Sequence, residues 1–259
     1  MNTNDYLARI KYVGKIDPSL KVLASLQVAH LLTVPFENLD IHTGTRIVLD
    51  TTLLYRKIVT MTRGGFCYEL NALFNSLLRE LGFHSRLLMG RVYDHTTKEY
   101  GPEFDHMLSL VKIDGRQWLV DVGFGDFSMG PLEFRLNQSV TDPAGEFLIE
   151  QDIDEYFRVS RFSQKENRFS TRDVRLADFS EMCLYHQTSP QSHFTRKKVC
   201  SIATAAGRIT LTDEKLIITA NGIRTESPIC NAQEFSQALA QYFNINVSAL
   251  PSQAASGTE

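Results

Sequence analysis

Cys67 is the residue of this chain whose local sequence best fits a nucleophile. It follows two glycines in the segment 63–71, RGGFCYELN, and an amphipathic helix is predicted to begin near the same position. A thiol in the first turn of a helix lies near unpaired backbone N–H groups, which favour the thiolate. The same N–H groups could hold a developing oxyanion. From this segment alone, a reactive nucleophile and a buried structural cysteine are equally supported.

A thiolate nucleophile needs a base and a group that orients the base, and one predicted hairpin supplies both. The Asp-Gly dipeptide at 114–115 separates two apolar runs and is typical of a two-residue turn. With that turn, Asp121 lies opposite Leu108, and His106 projects from the same face of the sheet as Asp121. Such diagonal neighbours are about 7–8 Å apart at the backbone, within reach of an imidazole and a carboxylate. The pair fits a base with its orienting acid, or a structural hydrogen bond that ties two strands.

The other candidates for chemistry are weaker. The segment 122–131, VGFGDFSMGP, has Ser128 where a dinucleotide-binding loop needs its third glycine, and it also departs from the serine-hydrolase elbow. We interpret it as a loop whose backbone approaches a ligand, with Phe124 as an apolar wall. The remaining histidines lack metal-ligand spacing and the four cysteines lack CxxC spacing, so neither a metal site nor a disulfide framework is predicted.

Hydrophobic periodicity divides the chain into three regions. Their bounds are 1–83, 84–177 and 178–259. The first has helical spacing, clearest from Leu70 to Leu81, the second alternates like β-strands, and the third combines helices with alternating strands. The predicted fold class is α+β, with an N-terminal helical bundle, a central antiparallel sheet or barrel and a small C-terminal α/β part. The tail from Pro251 is expected to be disordered.

Composition and charge exclude several classes of protein. The 259 residues include 27 Lys and Arg against 30 Asp and Glu, and 43% are hydrophobic, which is typical of a globular protein. A net charge of −3 argues against nucleic-acid binding, and the densest basic run, 196–198, is interpreted as a solvated face or a helix end. No apolar run approaches the roughly 20 residues that span a bilayer, and residues 1–9 do not fit a signal peptide. We therefore expect a cytoplasmic protein without a membrane partner.

Taken together, the motifs resemble those of the arylamine N-acetyltransferases. The segment 63–71 is similar to their active-site signature, and the segment 34–40, VPFENLD, is similar to their N-terminal signature. His106 and the segment 120–125, VDVGFG, are similar to their histidine and aspartate segments in order and spacing. The stretch 185–194, YHQTSPQSHF, resembles their interdomain helix.

The resemblance implies an activity, a fold and a set of site residues. It implies a catalytic triad of Cys67, His106 and Asp121 that transfers acetyl from acetyl-CoA to arylamines, arylhydroxylamines or hydrazines through an acetyl-cysteine. It also implies a β-barrel, an α/β lid and a catalytic core like that of papain and transglutaminases. Contacts with CoA are expected from Gly101, Gly123, Phe124 and Gly125, and contacts with the acceptor from Phe36, Phe66 and Phe124. No metal is expected, and the chain is expected to be a monomer or homodimer.

Three other interpretations of the same residues stay open. A transglutaminase-like thiol hydrolase would use the triad without CoA, and an amide synthase of polyketide biosynthesis would draw on a carrier-bound thioester. A catalytically inactive binder of CoA or aromatic compounds would keep the cavity alone. Acetylation of Cys67 by acetyl-CoA distinguishes the acetyltransferase from the inactive binder.

Two further features concern the surroundings of the site. Asp105 places a second carboxylate beside His106, in an acid-rich loop that is expected to affect the cofactor entrance. Glu37 and Arg63 could form a structural ion pair beneath the cysteine loop.

Overall fold

The first part of the chain is a helical bundle packed around one buried helix. The computed structural model describes residues 1–246. The elements of this part are α1 (Thr3–Arg9), α2 (Leu20–Leu31), β1 (Phe36–Glu37), α3 (Leu39–His42), α4 (Thr51–Tyr55), a π-helical turn (Arg56–Thr60) and α5 (Cys67–Glu80). Most residues of α5 are buried, as the predicted amphipathic spacing requires. The helix ends before Gly82, whose φ of 88° allows the turn into the barrel.

The second part is an antiparallel sheet that curls into a nearly closed barrel. Its strands are β2 (His84–Asp94), β3 (Glu99–Tyr100), β4 (His106–Ile113), β5 (Arg116–Val120), β6 (Leu132–Glu133), β7 (Val140–Asp142), β8 (Gly145–Gln151), β9 (Tyr156–Arg161) and β10 (Gln164–Ser170). Their order is β6-β5-β4-β2-β10-β9-β8-β7, with β3 paired to β2. A bridge between Leu136 and Ile149 joins the chain after β6 to β8 and brings the two ends of the sheet together. Apolar side chains such as Leu108 and Phe147 fill the interior.

The predicted register of the β4–β5 hairpin is confirmed. Ile113 pairs with Arg116 and Ser109 pairs with Val120. The turn residues Asp114 and Gly115 have positive φ angles of 48° and 77°, which suits the right-handed twist of the flanking strands. Asp121 follows β5 directly and therefore emerges on the same side of the sheet as His106, at the start of β4.

The third part is a second antiparallel sheet with one helix against it. A 3₁₀ turn (Leu176–Phe179), α6 (Ser180–Thr188) and α7 (His193–Arg196) lead into β11 (Val199–Thr204), β12 (Gly207–Thr212), β13 (Lys215–Ala220), β14 (Ile223–Pro228) and α8 (Ala232–Phe243). The sheet order is β1-β11-β12-β13-β14. Phe36 of β1 pairs with Ser201 of β11, so a strand from the first predicted region completes the sheet of the third. The tail from Pro251, predicted to be disordered, lies outside the described residues.

Within residues 1–246, no helix has both the length and the apolar character that a membrane span requires.

Candidate functional site

Cys67 is the first residue of α5 and is buried. The two glycines before it fix how the chain enters the helix. Gly65 accepts a hydrogen bond from the backbone N–H of Glu37 (2.9 Å), and a side chain on Gly64 would collide with the carbonyl of Pro35. The Gly-Gly segment thus lies flat against β1. This close approach brings the start of α5 next to β1, the edge strand of the C-terminal sheet.

The predicted pairing of His106 with Asp121 is present. Nε2 of His106 lies 2.6 Å from Oδ2 of Asp121, and both side chains are buried. The other oxygen, Oδ1, accepts hydrogen bonds from Nδ2 of Asn71 (2.9 Å) and from the backbone N–H of Gly123 (2.8 Å). A buried carboxylate needs such partners, because desolvation otherwise disfavours its charge. The imidazole is therefore held through Nε2, which leaves Nδ1 as the nitrogen available to another group.

Asn71 ties the helix that carries Cys67 to the strands that carry the other two residues. It lies one turn after Cys67 on α5, and its Nδ2 donates to the backbone oxygen of Met107 (2.6 Å) as well as to Asp121. Its Oδ1 accepts a hydrogen bond from the backbone N–H of Val122 (2.9 Å). Sequence reasoning assigned no role to Asn71. The available signal was a polar residue at i+4 from Cys67 on an otherwise apolar helix face.

Cys67 and His106 line one cavity of about 730 Å³, at the junction of the barrel with the C-terminal sheet. The predicted contact residues Phe36, Gly123, Phe124 and Gly125 line the same cavity. The ring of Phe124 stands edge-on to the ring of His106, with centroids 5.1 Å apart. The residues that line the cavity therefore include a cysteine, a histidine and aromatic side chains.

Two predicted contact residues are not among those that line this cavity. Phe66 is fully buried and packs edge-on against Tyr68 and Phe194, with ring centroids 5.1 and 5.8 Å away. Gly101 lies against Asp105, and a Cβ atom at position 101 would collide with that carboxylate. Both residues shape the surroundings of the cavity from behind its walls.

Burial raises the pKa of the Cys67 thiol well above its usual value, and the carboxylates of Asp105 and Asp121 raise it further. A backbone N–H at Tyr68 acts in the opposite direction but is outweighed. The backbone N–H at the start of α5 thus favours the thiolate, as predicted, but desolvation exceeds this effect at this depth. A thiol with a raised pKa would need a base to act as a nucleophile, and His106 lines the same cavity.

A second histidine–carboxylate pair lies beside the first. Oδ1 of Asp105 is 3.1 Å from Nε2 of His186, and Oδ2 accepts a hydrogen bond from the backbone N–H of Val92 (3.2 Å). The hydroxyl of Tyr68 donates to the backbone oxygens of Phe104 (2.7 Å) and Asp105 (3.1 Å), which anchors this loop to α5. The sequence places Asp105 beside His106, but no local pattern indicates its pairing with His186.

The comparisons with known proteins agree with one another. A family profile described as N-acetyltransferase matches residues 19–251. The arylamine N-acetyltransferase of Escherichia coli K12 is 33% identical over 228 residues, which cover 86% of this chain and 81% of that one. The arylamine N-acetyltransferase structure from Salmonella typhimurium has a TM-score of 0.89 and 28% identity, and covers 97% of this chain and 95% of that one.

The chain belongs to the arylamine N-acetyltransferase family. The predicted resemblance is thus confirmed, and so is the α+β fold with its helical bundle, barrel and C-terminal sheet. Another similar structure, at 28% identity with a TM-score of 0.89 and coverage of 97% and 96%, is the Mycobacterium marinum arylamine N-acetyltransferase in complex with CoA.

In this arylamine N-acetyltransferase family member, a buried charge cluster supports the cysteine loop. The Arg63–Glu37 ion pair envisaged from the sequence is present, with Nη2 2.7 Å from Oε1, and Arg63 also reaches Asp40 (2.8 Å). Lys57 lies 2.9 Å from Asp40 and 2.8 Å from Glu69. Glu69 in turn accepts a hydrogen bond from the backbone N–H of Phe66 (3.1 Å), immediately before Cys67. Among the described residues, this cluster contains three carboxylates and two cations.

The cluster shifts the pKa values of its members in opposite directions. Burial acts to lower the pKa of Lys57, but Glu69, Glu37 and Asp40 together outweigh it and raise that pKa. Burial raises the pKa of Glu69 to about 7, despite the attraction of Lys57. Three carboxylates thus face two cations, and Glu69 is the carboxylate whose pKa burial raises.

The basic run 196–198 lines the C-terminal side of the cavity, together with Arg208 of β12. The predicted helix end is confirmed, because α7 ends at Arg196. Lys198 lies 3.0 Å from Asp213, and Arg208 lies 3.8 Å from the exposed carboxylate of Asp126. The run is therefore both a helix end and part of the cavity wall.

In the part of the chain that the structure describes, no group of three or more His, Cys, Asp or Glu side chains is arranged to hold a metal ion.

Proposed function

We propose that this chain transfers an acetyl group from acetyl-CoA to arylamines, arylhydroxylamines or hydrazines through an acetyl thioester on Cys67. One observation carries the proposal. Asn71 connects the His106–Asp121 pair by a hydrogen bond to the helix that begins with Cys67, and Cys67 and His106 line one cavity. This is the arrangement that a thiol nucleophile with a raised pKa requires.

The first half-reaction acetylates Cys67. Nδ1 of His106 takes the thiol proton as the sulfur attacks the thioester carbonyl carbon of acetyl-CoA. The carbon–sulfur bond to CoA then breaks, and the imidazolium returns the proton to the CoA thiolate. Acetyl-CoA and acetyl-Cys67 are both thioesters of similar energy, so this step is not strongly uphill.

The second half-reaction releases the acetyl group to the acceptor. An aromatic amine is unprotonated near neutral pH and attacks the acetyl carbon on Cys67. His106 accepts the proton that the nitrogen loses and gives it to the departing sulfur of Cys67. One histidine therefore serves as base and acid in both half-reactions of a ping-pong mechanism.

Asp121 makes this use of His106 possible. A carboxylate at Nε2 fixes the neutral tautomer with its proton on Nε2 and its lone pair on Nδ1, and it stabilises the imidazolium that forms. Asn71 and Gly123 hold that carboxylate by hydrogen bonds. Asp121 acts on Cys67 through the imidazole.

The cavity suits the two substrates. Phe36 and Phe124 offer aromatic walls to a flat acceptor and limit water, which would otherwise hydrolyse the acetyl-cysteine. The cations at 196–198 and Arg208 stand on the side of the C-terminal sheet, where the phosphates of CoA would be attracted. The similar M. marinum structure is a complex with CoA, which supports acetyl-CoA as the donor here. Cytoplasmic location and a monomeric or homodimeric state stay predictions.

The proposal is tested by incubating the purified chain with acetyl-CoA and 4-methylaniline, and measuring both the free CoA thiol and the acetanilide. We expect equal amounts of the two products. When both substrates are varied, double-reciprocal plots of the initial rate should give parallel lines. Cys67→Ala should abolish turnover. Cys183→Ala is the matched control, because Cys183 is also a buried thiol but is not among the residues that line the cavity. Thiol release without acetanilide, or turnover of a glutamine amide without CoA, would identify a thiol hydrolase instead.

A further inference from the structure

The cavity that contains Cys67 also includes a carboxylate that the transfer mechanism does not use, that of Asp105. We propose that Asp105, held in place by His186, determines acceptor specificity by excluding acceptors that carry a negative charge near the amine. The inference rests on the proposed function and names the acceptor class: neutral or cationic aromatic amines and hydrazines.

The structure holds the Asp105 side chain on three sides. Its Oδ1 faces Nε2 of His186, its Oδ2 accepts the backbone N–H of Val92, and the absence of a side chain at Gly101 makes room for it. The side chain is only 13% exposed. These contacts occupy one direction on each oxygen, and the carboxylate still borders the cavity. It therefore presents a fixed charge to whatever enters.

His186 is itself fixed, so the carboxylate cannot swing away with its partner. The ring is buried, and Nδ1 lies 3.0 Å from the hydroxyl of Ser192. Phe194 stands edge-on to it, with centroids 5.2 Å apart, and the Tyr68 ring lies 6.0 Å away. A histidine held by polar contacts at both nitrogens and packed against aromatic rings is a rigid support for Asp105.

The charge of Asp105 acts at the reacting sulfur. After burial, the charge of Asp105 makes the largest contribution to the raised pKa of Cys67. An anionic substituent on an acceptor bound at Cys67 would feel the same field, with little water in between to screen it. The cations among the residues that line the cavity are Arg196 of α7, Lys197 and Lys198 between α7 and β11, and Arg208 of β12. They would attract the CoA phosphates and leave the acceptor to Asp105.

The test compares pairs of acceptors that differ in charge but little in shape: 2-, 3- and 4-aminobenzoate with the corresponding aminobenzamides. The measured quantity is kcat/KM for each acceptor at saturating acetyl-CoA. The ratio of acid to amide within a pair cancels effects on the acetylation step and on the amount of active protein. Asp105→Asn removes the charge and keeps the shape, and Asp105→Ser is a second neutral variant in case the first folds poorly.

We expect Asp105→Asn to raise the acid-to-amide ratio on the order of tenfold for at least one of the three pairs. Glu103→Gln is the matched control, because Glu103 lies in the same loop but is not among the residues that line the cavity. It should leave all three ratios within about twofold of the wild-type values. Unchanged ratios in both Asp105 variants would overturn the inference while amide acetylation still upholds the proposed function. Failure of the wild type to acetylate even the amides would overturn both.

Discussion

Gly123 lies directly against the backbone of Cys67. A Cβ atom at position 123 would stand 2.8 Å from Cα of Cys67 and 3.0 Å from its carbonyl oxygen. The same atom would meet Nδ2 of Asn71 at 2.8 Å. Two of these three neighbours are backbone atoms of a buried helix, which cannot shift cheaply. The loop after β5 therefore reaches α5 only because residue 123 has no side chain.

Gly123→Ala should push the loop away from α5 and separate His106 from Cys67. We expect kcat/KM to fall at least tenfold, because small displacements of catalytic groups slow the reaction strongly. The free energy of unfolding should fall by about 1–3 kcal/mol, because the added methyl group overpacks the contact. Acetyl transfer and urea unfolding measure the two effects. Gly130→Ala is the control in the same loop, since a Cβ there would meet only Asp142, at an ordinary 3.6 Å. Equal behaviour of the two variants would show that this contact does not position the site.

Asp121→Asn should remove most of the activity. The amide keeps the size of the side chain but loses the charge that stabilises the His106 imidazolium, and it no longer enforces the tautomer with a lone pair on Nδ1. We expect acetyl transfer to drop by about 10³–10⁴-fold. Steady-state kcat/KM provides the measurement. Asn71→Asp cannot serve as a control, because it changes the hydrogen bonds of Asp121. A loss below tenfold would mean that His106 works without Asp121.

Removing one cation from the charge cluster should destabilise the protein. Lys57→Met leaves Arg63 alone against three buried carboxylates, and we expect a loss of about 3–5 kcal/mol in the free energy of unfolding. Adding Glu69→Gln to this variant should restore part of the loss, because it removes the carboxylate nearest to the missing ammonium. Urea unfolding of the two single variants and the double variant measures the coupling. Additive effects would contradict an electrostatic connection between the two residues.

His30 should make the protein sensitive to acid. It is fully buried, and neither ring nitrogen has a hydrogen-bond partner among the described residues. Burial lowers its pKa to about 3, and Arg9 contributes in the same direction. In the unfolded chain, His30 takes up a proton as the pH falls below its ordinary pKa of 6.5, whereas in the folded chain the ring stays neutral until the pH approaches 3. The stability that the neutral ring provides is therefore complete above pH 6.5 and is lost as the pH falls toward 3.

His30→Leu should remove this dependence. The free energy of unfolding of the variant minus that of the wild type should be about 2 kcal/mol larger at pH 5 than at pH 7. Urea unfolding at both pH values gives the comparison, and the exposed His84→Gln is the control. The same difference between variant and wild type at pH 5 and pH 7 would show that His30 takes up its proton in the folded state.

The sequence predicted those parts of the site that depend on local rules. The Asp114-Gly115 turn set the hairpin register, and the register placed His106 and Asp121 on one face. The roles of Asn71 and His186 depend on how distant segments pack, which no local pattern encodes. The raised pKa of Cys67 has the same origin, because the helix N-terminus that favours its thiolate is a local feature and the burial that outweighs it is not.

In the proposed reaction Cys67 carries the acetyl group between the two substrates, and intact-protein mass spectrometry can detect it there. After exposure to acetyl-CoA without acceptor, we expect a mass increase of about 42 Da, located on the peptide that contains Cys67. Addition of 4-methylaniline should remove it and yield an equal amount of acetanilide. Cys183→Ala should behave like the wild type, and Cys67→Ala should show no adduct. Acetanilide formation by Cys67→Ala, or an acetyl group found on another residue, would show that Cys67 is not the acetyl carrier.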